Sequence, residues 1–464
     1  MNRPRTLGEL RRSGYQPLSV KEEMRKNLAD RIRKGEEHFP GIVGYDETVI
    51  PQIENAVLSG QDIIFLGERG QAKTRIARSL INLLDDEIPI VAGSEINDNP
   101  FEPISRYAVE RVDAEGDDTE ITWVTRDRRY GEKLATPDTT IADLIGEVDP
   151  IKVAEGRYLS DELTIHYGML PRTNRGIFCI NELPDLAERI QVGLLNIMEE
   201  RDVQIRGYKI RLPVDVFMVA SANPEDYTNR GRIITPIKDR FGSEIRTHYP
   251  RTVEHEIDIM QQESRELGLP GMHVDTPVYM KEIVAELTHL ARKSPDISQR
   301  SGVSVRVSIC NYENLVANSV RRALRVGETD VSPRISDLPS LTASTSGKIE
   351  LETVGDTKED RIVDRLVQGA VLNVFNRYFT VPEFDDLVHA FEGGLNVEVG
   401  DTMPSMEYML QASSAVGIKS AVAKLGVQNN PASIASAVEF VLEGLHLNRK
   451  LNKDKMDHRA RYRR

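Results

Sequence analysis

The pattern of apolar and polar residues predicts an α/β layer in the first half of the chain. Residues 63–66 form a short apolar run that leads into a glycine-marked loop, after which Ile76 and Leu80 recur at helical spacing. Strand, loop and helix in this order form the first unit of an α/β fold. Further apolar runs, which we expect to be parallel and buried strands, stand at residues 88–92, 176–180 and 214–221.

Helical patterns flank this layer on both sides. In residues 15–38, Met24, Leu28 and Ile32 lie at helical spacing and predict an amphipathic helix. From about residue 251 the apolar spacing becomes helical again. The chain is therefore predicted to contain an N-terminal helical segment (1–38), an α/β domain (39–250), a helical lid domain (251–345) and a helical C-terminal extension with a basic tail (346–464).

Two charged stretches stand out from these patterns. Residues 110–140 hold the only tryptophan, Trp123, in an alternating segment, which predicts a surface hairpin inserted into the layer. The last 16 residues contain eight Lys or Arg against two Asp. We expect a solvated, frayed tail there, and docking onto an acidic partner or a neighbouring subunit is the alternative.

Composition narrows the class of protein. The 464 residues correspond to about three domains at ~150 residues each, and 39% hydrophobic with 29% charged residues is typical of a globular protein. The net charge of −13 disfavours nucleic acid and anionic membranes as partners. Two distant cysteines suggest neither disulfides nor zinc, and no apolar run is long enough for membrane insertion. We expect a cytoplasmic protein.

The loop after the first strand has the length of a phosphate-binding loop. Residues 67–74 read GERGQAKT, with Ala72 where the last glycine of G-x-x-x-x-G-K-[ST] usually stands. Backbone N–H groups and a helix N-terminus would face an anion here. Lys73 would reach the β- and γ-phosphates of ATP, and the Thr74 hydroxyl would ligate Mg²⁺. The predicted nucleotide-binding residues of this loop are Gly67, Glu68, Arg69, Gly70, Gln71, Ala72, Lys73, Thr74 and Arg75.

Two later strands end in polar residues, at the edge where open α/β sheets bind ligands. In GIFCINEL, Asn181 and Glu182 stand at the C-terminal end of the predicted strand 177–180, and Glu182 is predicted to orient and deprotonate the attacking water. Asn181 stands where an Asp usually holds Mg²⁺, so we expect weaker Mg²⁺ affinity and slower hydrolysis. In VFMVASANPEDY the predicted strand ends at Asn223. Asn223 is predicted to touch the γ-phosphate or the attacking water, although Asn-Pro after a strand is also an ordinary turn.

Six motifs follow one another between residues 39 and 325 in an order typical of one family. They are GIVGYDETV, GERGQAKT, GIFCINEL, VASANPEDY, PIKDRFG and SVRVS. This order resembles the AAA+ ATPases of the MoxR and magnesium-chelatase ATPase-subunit branch. The stretch from TTIADLIGEVD through GMLPRTNRGIFCINEL is similar to the helix-two insert that this branch carries before its second acidic motif. ERDVQIRGYKIRLPVDVF resembles its pre-sensor hairpin, with the turn near Arg206 and Gly207.

The resemblance implies a fold, further site residues and partners. The fold is a P-loop AAA+ core with a parallel sheet, followed by an all-helical lid domain and a helical extension. Arg240 matches the arginine finger that completes the site of a neighbouring subunit, and Arg306 matches the second sensor arginine at the γ-phosphate. Ile42, Val43 and Gly44 match the segment near the adenine. The implied cofactors are ATP and Mg²⁺, in a homo-oligomeric ring that we expect to be a hexamer.

Three functions compete on this basis. The leading one is a Mg²⁺-dependent, ATP-hydrolysing machine that remodels or activates a partner protein, with a von Willebrand factor A (VWA) domain protein as the family's expected partner. The second is the ATPase motor of a magnesium or cobalt chelatase. The third, suggested by Asn181, is an ATP-binding scaffold with slow or no turnover.

Overall fold

The chain divides after His248 into two units with separate hydrophobic cores. The computed structural model describes residues 3–149, 162–200, 202–204, 211–224, 231–299, 301–352, 356–413, 417–456 and 459–464. Among these residues, none of the helices combines the length and apolarity that a bilayer-spanning segment needs.

A five-stranded parallel sheet organises the first unit. In chain order, the elements of this unit are α1 (Leu7–Arg12), α2 (Val20–Lys34), α3 (Ile50–Ser59), β1 (Ile63–Leu66), α4 (Lys73–Ser79), β2 (Glu87–Val91), α5 (Arg106–Glu115), β3 (Ile121–Thr125), β4 (Tyr130–Leu134), α6 (Ile141–Leu144), β5 (Gly146–Val148), β6 (Ile165–Tyr167), α7 (Met169–Arg172), β7 (Gly176–Asn181), α8 (Glu188–Glu200), β8 (Asp202–Gln204), β9 (Arg211–Pro213), β10 (Val216–Ala222), α9 (Thr235–Arg240) and β11 (Ser243–Arg246). The strand order is β11–β1–β10–β7–β4, and all neighbouring strands are parallel.

The three inner strands are apolar on both faces. β1, β7 and β10 are buried along their whole length, as expected of parallel strands covered on two sides. Alternate residues belong to two separate cores, one containing Ile64, Phe178 and Met218 and the other containing Ile63, Ile177 and Phe217. The parallel strands predicted at 176–180 and 214–221 are therefore confirmed.

The strand predicted at residues 88–92 lies outside the central sheet, which corrects the prediction. β2 pairs with β3 as a separate antiparallel ribbon, with Ile88 opposite Val124. Pro89 has no N–H to donate, so it suits a two-stranded ribbon better than the middle of a parallel sheet.

The surface hairpin predicted at residues 110–140 is also wrong. Trp123 lies in β3, half-buried, and its Nε1 donates to the Pro4 carbonyl at 3.0 Å. The charged residues that follow form β4, the edge strand of the central sheet. An edge strand that is partly open to solvent tolerates charges such as those of Glu132 and Lys133.

The predicted N-terminal helix is present as α2. Ser19 and Glu22 form a capping box at its start, and Gly35 ends it in the left-handed conformation. Met24 and Leu28 are fully buried in the core beneath the sheet, whereas Ile32 is 43% exposed. The apolar stripe therefore ends one turn earlier than predicted.

The second unit is mainly helical. Its elements are α10 (Val253–Glu263), β12 (His273–Val274), α11 (Val278–Lys293), α12 (Arg306–Val326), β13 (Asp330–Val331), α13 (Leu341–Ser346), α14 (Asp356–Tyr378), α15 (Asp385–Glu392), β14 (Val397–Gly400), α16 (Ser405–Ser413), α17 (Ile418–Lys424), α18 (Pro431–Leu447), β15 (Asn452–Met456) and β16 (Arg459–Arg463). One core joins residues from both predicted segments, among them Ile283, Val371 and Phe440.

The basic tail is folded, so the expectation of a frayed end was wrong. β15 and β16 form an antiparallel hairpin, and β16 also pairs with β14. Ala460 and Tyr462 alternate with exposed arginines and point inward, with Tyr462 only 1% exposed. The Tyr462 hydroxyl donates to the Glu443 carboxylate. The alternation typical of a strand, with two inward side chains, outweighs the charge of the segment.

Candidate nucleotide site

The loop between β1 and α4 has a backbone shaped to present N–H groups. Gly70 and Ala72 have φ angles of +77° and +57°, and α4 begins directly afterwards at Lys73. Loops of this kind form concave anion sites. A Cβ on Gly67 would lie 1.9 Å from Oγ1 of Thr247, the residue directly after β11, so the close approach of Thr247 requires glycine there. Ala72 carries left-handed strain of about 1–3 kcal/mol, which is typical of functional sites.

Side chains from neighbouring elements hold this loop in shape. Gln71 Oε1 accepts from the Glu68 N–H at 3.0 Å and from Thr247 Oγ1 at 2.7 Å. The Tyr45 hydroxyl lies 3.0 Å from the Gln71 carbonyl and 2.7 Å from the His248 carbonyl. Tyr45 thus joins the loop to the segment predicted near the adenine. Tyr45 was not among the predicted site residues, although it stands directly after that segment in the sequence.

The predicted adenine segment is compact and partly accessible. Ile42 is buried, whereas Val43 and Gly44 are half-buried. This segment therefore stays in the first unit beside the loop, and its contact with a base remains a prediction.

Lys73, Asn223 and Glu182 form one hydrogen-bonded chain. The Lys73 ammonium donates to Asn223 Oδ1 at 2.6 Å, to the Glu68 carbonyl at 2.9 Å and to the Gly67 carbonyl. Asn223 Nδ2 donates to Glu182 Oε2 at 2.8 Å. Glu182 and Asn223 directly follow the parallel strands β7 and β10, and Lys73 begins α4 after the loop that follows β1. The structure therefore brings together the predicted phosphate-binding lysine, sensor amide and base.

Glu182 occupies a strained backbone position. Its φ of +56° lies in the left-handed region, which is uncommon for a residue with a side chain. Its N–H donates to Ser221 Oγ at 3.2 Å, on the neighbouring strand. Strain of this kind persists where the surroundings over-determine the conformation, and it clusters at functional sites.

Thr74 and Asn181 present two oxygen atoms to the same space. Thr74 Oγ1 donates to Asn181 Oδ1 at 3.4 Å, and Ser221 Oγ donates to the same oxygen at 3.1 Å. Hydroxyl and amide oxygens are hard ligands that suit Mg²⁺, which also takes oxygens from substrate phosphates. Within the described residues, no group of three or more His, Cys, Asp or Glu side chains could hold a metal ion by itself. The residues present thus fit Mg²⁺ bound together with a phosphate.

The structure adds Glu132, which the sequence analysis placed in a surface insert. It lies on β4 opposite Cys179, and its Oε1 accepts from Asn181 Nδ2 at 2.8 Å. Arg78 on α4 makes two hydrogen bonds to the same carboxylate, at 2.7 and 2.8 Å. The Arg78 hydrogen bonds lower the pKa of Glu132, which keeps this carboxylate charged.

A pocket of about 360 Å³ opens beside the loop. Gly67 and Glu68 contribute the loop side, and Lys238 and Arg246 contribute two cations near β11. Cations that line a pocket raise the local concentration of a polyanionic ligand. The exposed loop residues Arg69 and Arg75 add charge of the same sign on the loop and on α4.

Two predicted arginines have other hydrogen-bond partners or belong to the other unit. Arg240, at the end of α9, pairs with Glu199 at 2.7 Å and with Asp239 at 2.8 Å. Arg306 begins α12 in the second unit. The hairpin turn predicted near Arg206 and Gly207, and residues 150–161 of the predicted helix-two insert, lie outside the described residues.

Cys179, next to this site, is expected to be chemically inert in the folded chain. Burial raises the pKa of its thiol to about 12, so about one molecule in 10⁴ carries the thiolate at pH 8. A thiol reagent at pH 8 should modify Cys179 only after unfolding, measured by peptide mass spectrometry. Half-buried Cys310 serves as the internal reference. Fast labelling of Cys179 in the native protein would contradict the buried strand.

The sheet order, with a glycine-containing loop and a helix directly after β1, defines an α/β AAA+ fold. The magnesium-chelatase subunit ChlI of Oryza sativa subsp. japonica is 26% identical over 268 residues, covering 54% of this chain and 58% of that protein. ChlI-2 of Arabidopsis thaliana is 27% identical over 246 residues, covering 49% and 52%. These relatives confirm the resemblance to the magnesium-chelatase branch of the AAA+ proteins. The chain spans little more than half their length.

Two other comparisons were made, with solved structures and with family models. A structure of the complex between subunits BchI and BchD of magnesium chelatase matches at 20% identity and a TM-score of 0.37, covering 72% of this chain and 95% of that chain. No family model matches the chain.

Proposed function

We propose that this chain binds ATP with Mg²⁺, hydrolyses it, and works as the motor of an oligomeric AAA+ machine. The observation that carries the proposal is the chain of hydrogen bonds from Lys73 through Asn223 to Glu182. These hydrogen bonds join an ammonium, an amide and a carboxylate beside the loop between β1 and α4, whose N–H groups would bind an anion.

Each residue has a role in this reaction. Lys73 and the loop N–H groups bind the β- and γ-phosphates, and Asn223 orients the attacking water. Glu182 accepts a proton from that water as its oxygen bonds to the γ-phosphorus, and the bond from phosphorus to the ADP oxygen breaks. Thr74 and Asn181 would hold Mg²⁺, which neutralises charge on the phosphate oxygens when bound. Catalysis of this kind depends on positioning and electrostatics.

The position of Arg240 supports a shared site. Its hydrogen-bond and ion-pair partners, Glu199 and Asp239, are not among the residues of the candidate site. We infer that Arg240 acts as an arginine finger on the next subunit, in a homo-oligomeric ring expected to be a hexamer. Arg306 is proposed as the sensor arginine of the second unit.

The finer role is the remodelling or activation of a partner protein, with a VWA-domain protein as the proposed partner. The names of the ChlI relatives favour a second candidate, the motor subunit of a metal chelatase. A third candidate, a scaffold that binds ATP without turnover, is supported by the amide at Asn181. The test of turnover below separates it from the other two.

Mixing two inactive variants tests the shared site directly. Arg240→Ala and Glu182→Gln should each lose steady-state ATP turnover when assayed alone. In a one-to-one mixture, about a quarter of the interfaces combine an intact Glu182 with an intact Arg240 from the neighbour. We expect turnover to reappear in the mixture and to rise more steeply than linearly with protein concentration, measured by phosphate release.

A matched arginine controls for general effects of charge removal. Arg126 pairs with Asp86 and has 33% of its side chain exposed, compared with 34% for Arg240. Arg126→Ala should keep wild-type turnover. If Arg240→Ala alone keeps wild-type turnover, Arg240 is not a finger. If the wild type binds ATP but does not hydrolyse it, the scaffold replaces the motor.

A further inference from the structure

Asn181 has its two amide atoms fixed by different neighbours. Its Nδ2 donates to Glu132 Oε1 at 2.8 Å, on the edge strand β4. Its Oδ1 accepts from Ser221 at 3.1 Å and from Thr74 at 3.4 Å. An amide nitrogen only donates and an amide oxygen only accepts, so these contacts define which way the side chain points.

The carboxylate of Glu132 explains why an amide suits position 181. An aspartate there would place its second oxygen against the Glu132 carboxylate without a proton between them. Two carboxylates at such a distance repel each other and disfavour the state in which both are charged. The asparagine converts this repulsion into a hydrogen bond and directs its oxygen toward Thr74.

We propose that Glu132 is a positioning residue of the nucleotide site. It locks the Asn181 amide so that its oxygen faces Thr74, where Mg²⁺ bound with the nucleotide would lie. Glu132 and Asn181 act as a pair that replaces a single aspartate, and neither residue has this role alone. The inference rests on the proposed function, because it concerns the same Mg²⁺–nucleotide site.

Arg78 strengthens this arrangement from the helix that begins at the loop. Its side chain is 64% exposed, yet it binds the Glu132 carboxylate with two hydrogen bonds. The Tyr130 hydroxyl donates to the same carboxylate at 3.2 Å. Glu132 is therefore held on three sides, which gives Asn181 a fixed acceptor.

The first experiment measures how strongly Mg²⁺ enhances binding of a fluorescent ADP analogue, as the ratio of Kd in EDTA to Kd in Mg²⁺. Glu132→Ala should reduce this enhancement by about 10- to 100-fold, the usual range for residues that orient metal ligands. Glu132→Gln keeps an oxygen for Asn181 to donate to and should retain most of it. Glu110→Ala removes an exposed carboxylate paired with Arg106 and should change nothing.

The second experiment needs no nucleotide. Asn181→Asp should lower Tm by a few degrees, because the new carboxylate at position 181 would face the Glu132 carboxylate and the two would repel each other. Adding Glu132→Gln should restore Tm, since the new amide donates to the new carboxylate while exposed Arg78 adjusts.

Three results would overturn the proposal. They are full Mg²⁺ enhancement in Glu132→Ala, equal losses in Glu132→Ala and Glu132→Gln, and additive Tm changes in the double variant. If the wild-type protein binds no nucleotide, the proposed function is contradicted, and this inference is contradicted with it.

Discussion

Glu182→Gln should lower kcat for ATP by about 10²- to 10⁴-fold, the usual contribution of a positioned base. A carboxamide keeps the shape of the side chain and its contact with Asn223, but it does not accept a proton from water. The Kd for the nucleotide should remain unchanged, because the proposed phosphate contacts come from Lys73 and the loop and not from Glu182. Steady-state phosphate release and fluorescence titration of bound nucleotide measure the two quantities.

Glu188→Gln provides the matched control for this variant. Glu188 begins α8, has 61% of its side chain exposed and pairs with Arg232 away from the loop. This change should leave kcat and Kd as in the wild type. Wild-type turnover in Glu182→Gln would show that Glu182 is not the base, and loss of nucleotide binding would show that it supports the site structurally.

Glu23→Gln should destabilise the first unit by about 3–5 kcal/mol, because it breaks a buried ion pair. Glu23 and Arg129 are 3% and 0% exposed, and two hydrogen bonds of 2.8 and 2.5 Å join them. Glu23 Oε1 also accepts from the Asp85 N–H at 2.6 Å. The variant leaves the Arg129 guanidinium buried without its counter-charge. Urea unfolding followed by circular dichroism measures the change in the free energy of unfolding.

Two further variants separate the ion pair from other effects. Asp30→Asn breaks an exposed pair with Arg33 on the same helix and should cost less than about 1 kcal/mol. Glu23→Leu combined with Arg129→Met should lose less stability than Glu23→Leu alone, because no charge is left unpaired. A loss below about 1 kcal/mol in Glu23→Gln would show that the guanidinium is solvated after all.

The sequence was sufficient to predict the elements whose signal is local. The runs at β1, β7 and β10 are continuous and apolar because both faces of these strands are buried. The loop between β1 and α4 follows from its glycines and its lysine. Parallel pairing then brings Glu182 and Asn223 together at the carboxyl ends of β7 and β10, next to the loop after β1 that leads to Lys73.

The elements that were mispredicted depend on pairing between distant residues. β2 is apolar yet lies outside the central sheet, whereas β4 carries charges yet forms its edge strand. Only the pairing in the completed sheet shows which segment becomes the edge strand. The contact between Glu132 and Asn181 follows from that choice, so no local pattern reveals it. At the C-terminus, Tyr462 is buried by helix α18, more than ten residues earlier in the chain, and the local charge suggested the opposite.

Asn223 stands between a cation and an anion, and this has a consequence for signalling within the site. Turning its amide over would set nitrogen against the Lys73 ammonium and oxygen against the Glu182 carboxylate, so the two charges hold it in a single orientation. A phosphate that drew the ammonium toward itself would remove one of the constraints on this amide. Under the proposed function, the arrival of the nucleotide at the loop would thereby change the surroundings of Glu182, the proposed base, through one side chain.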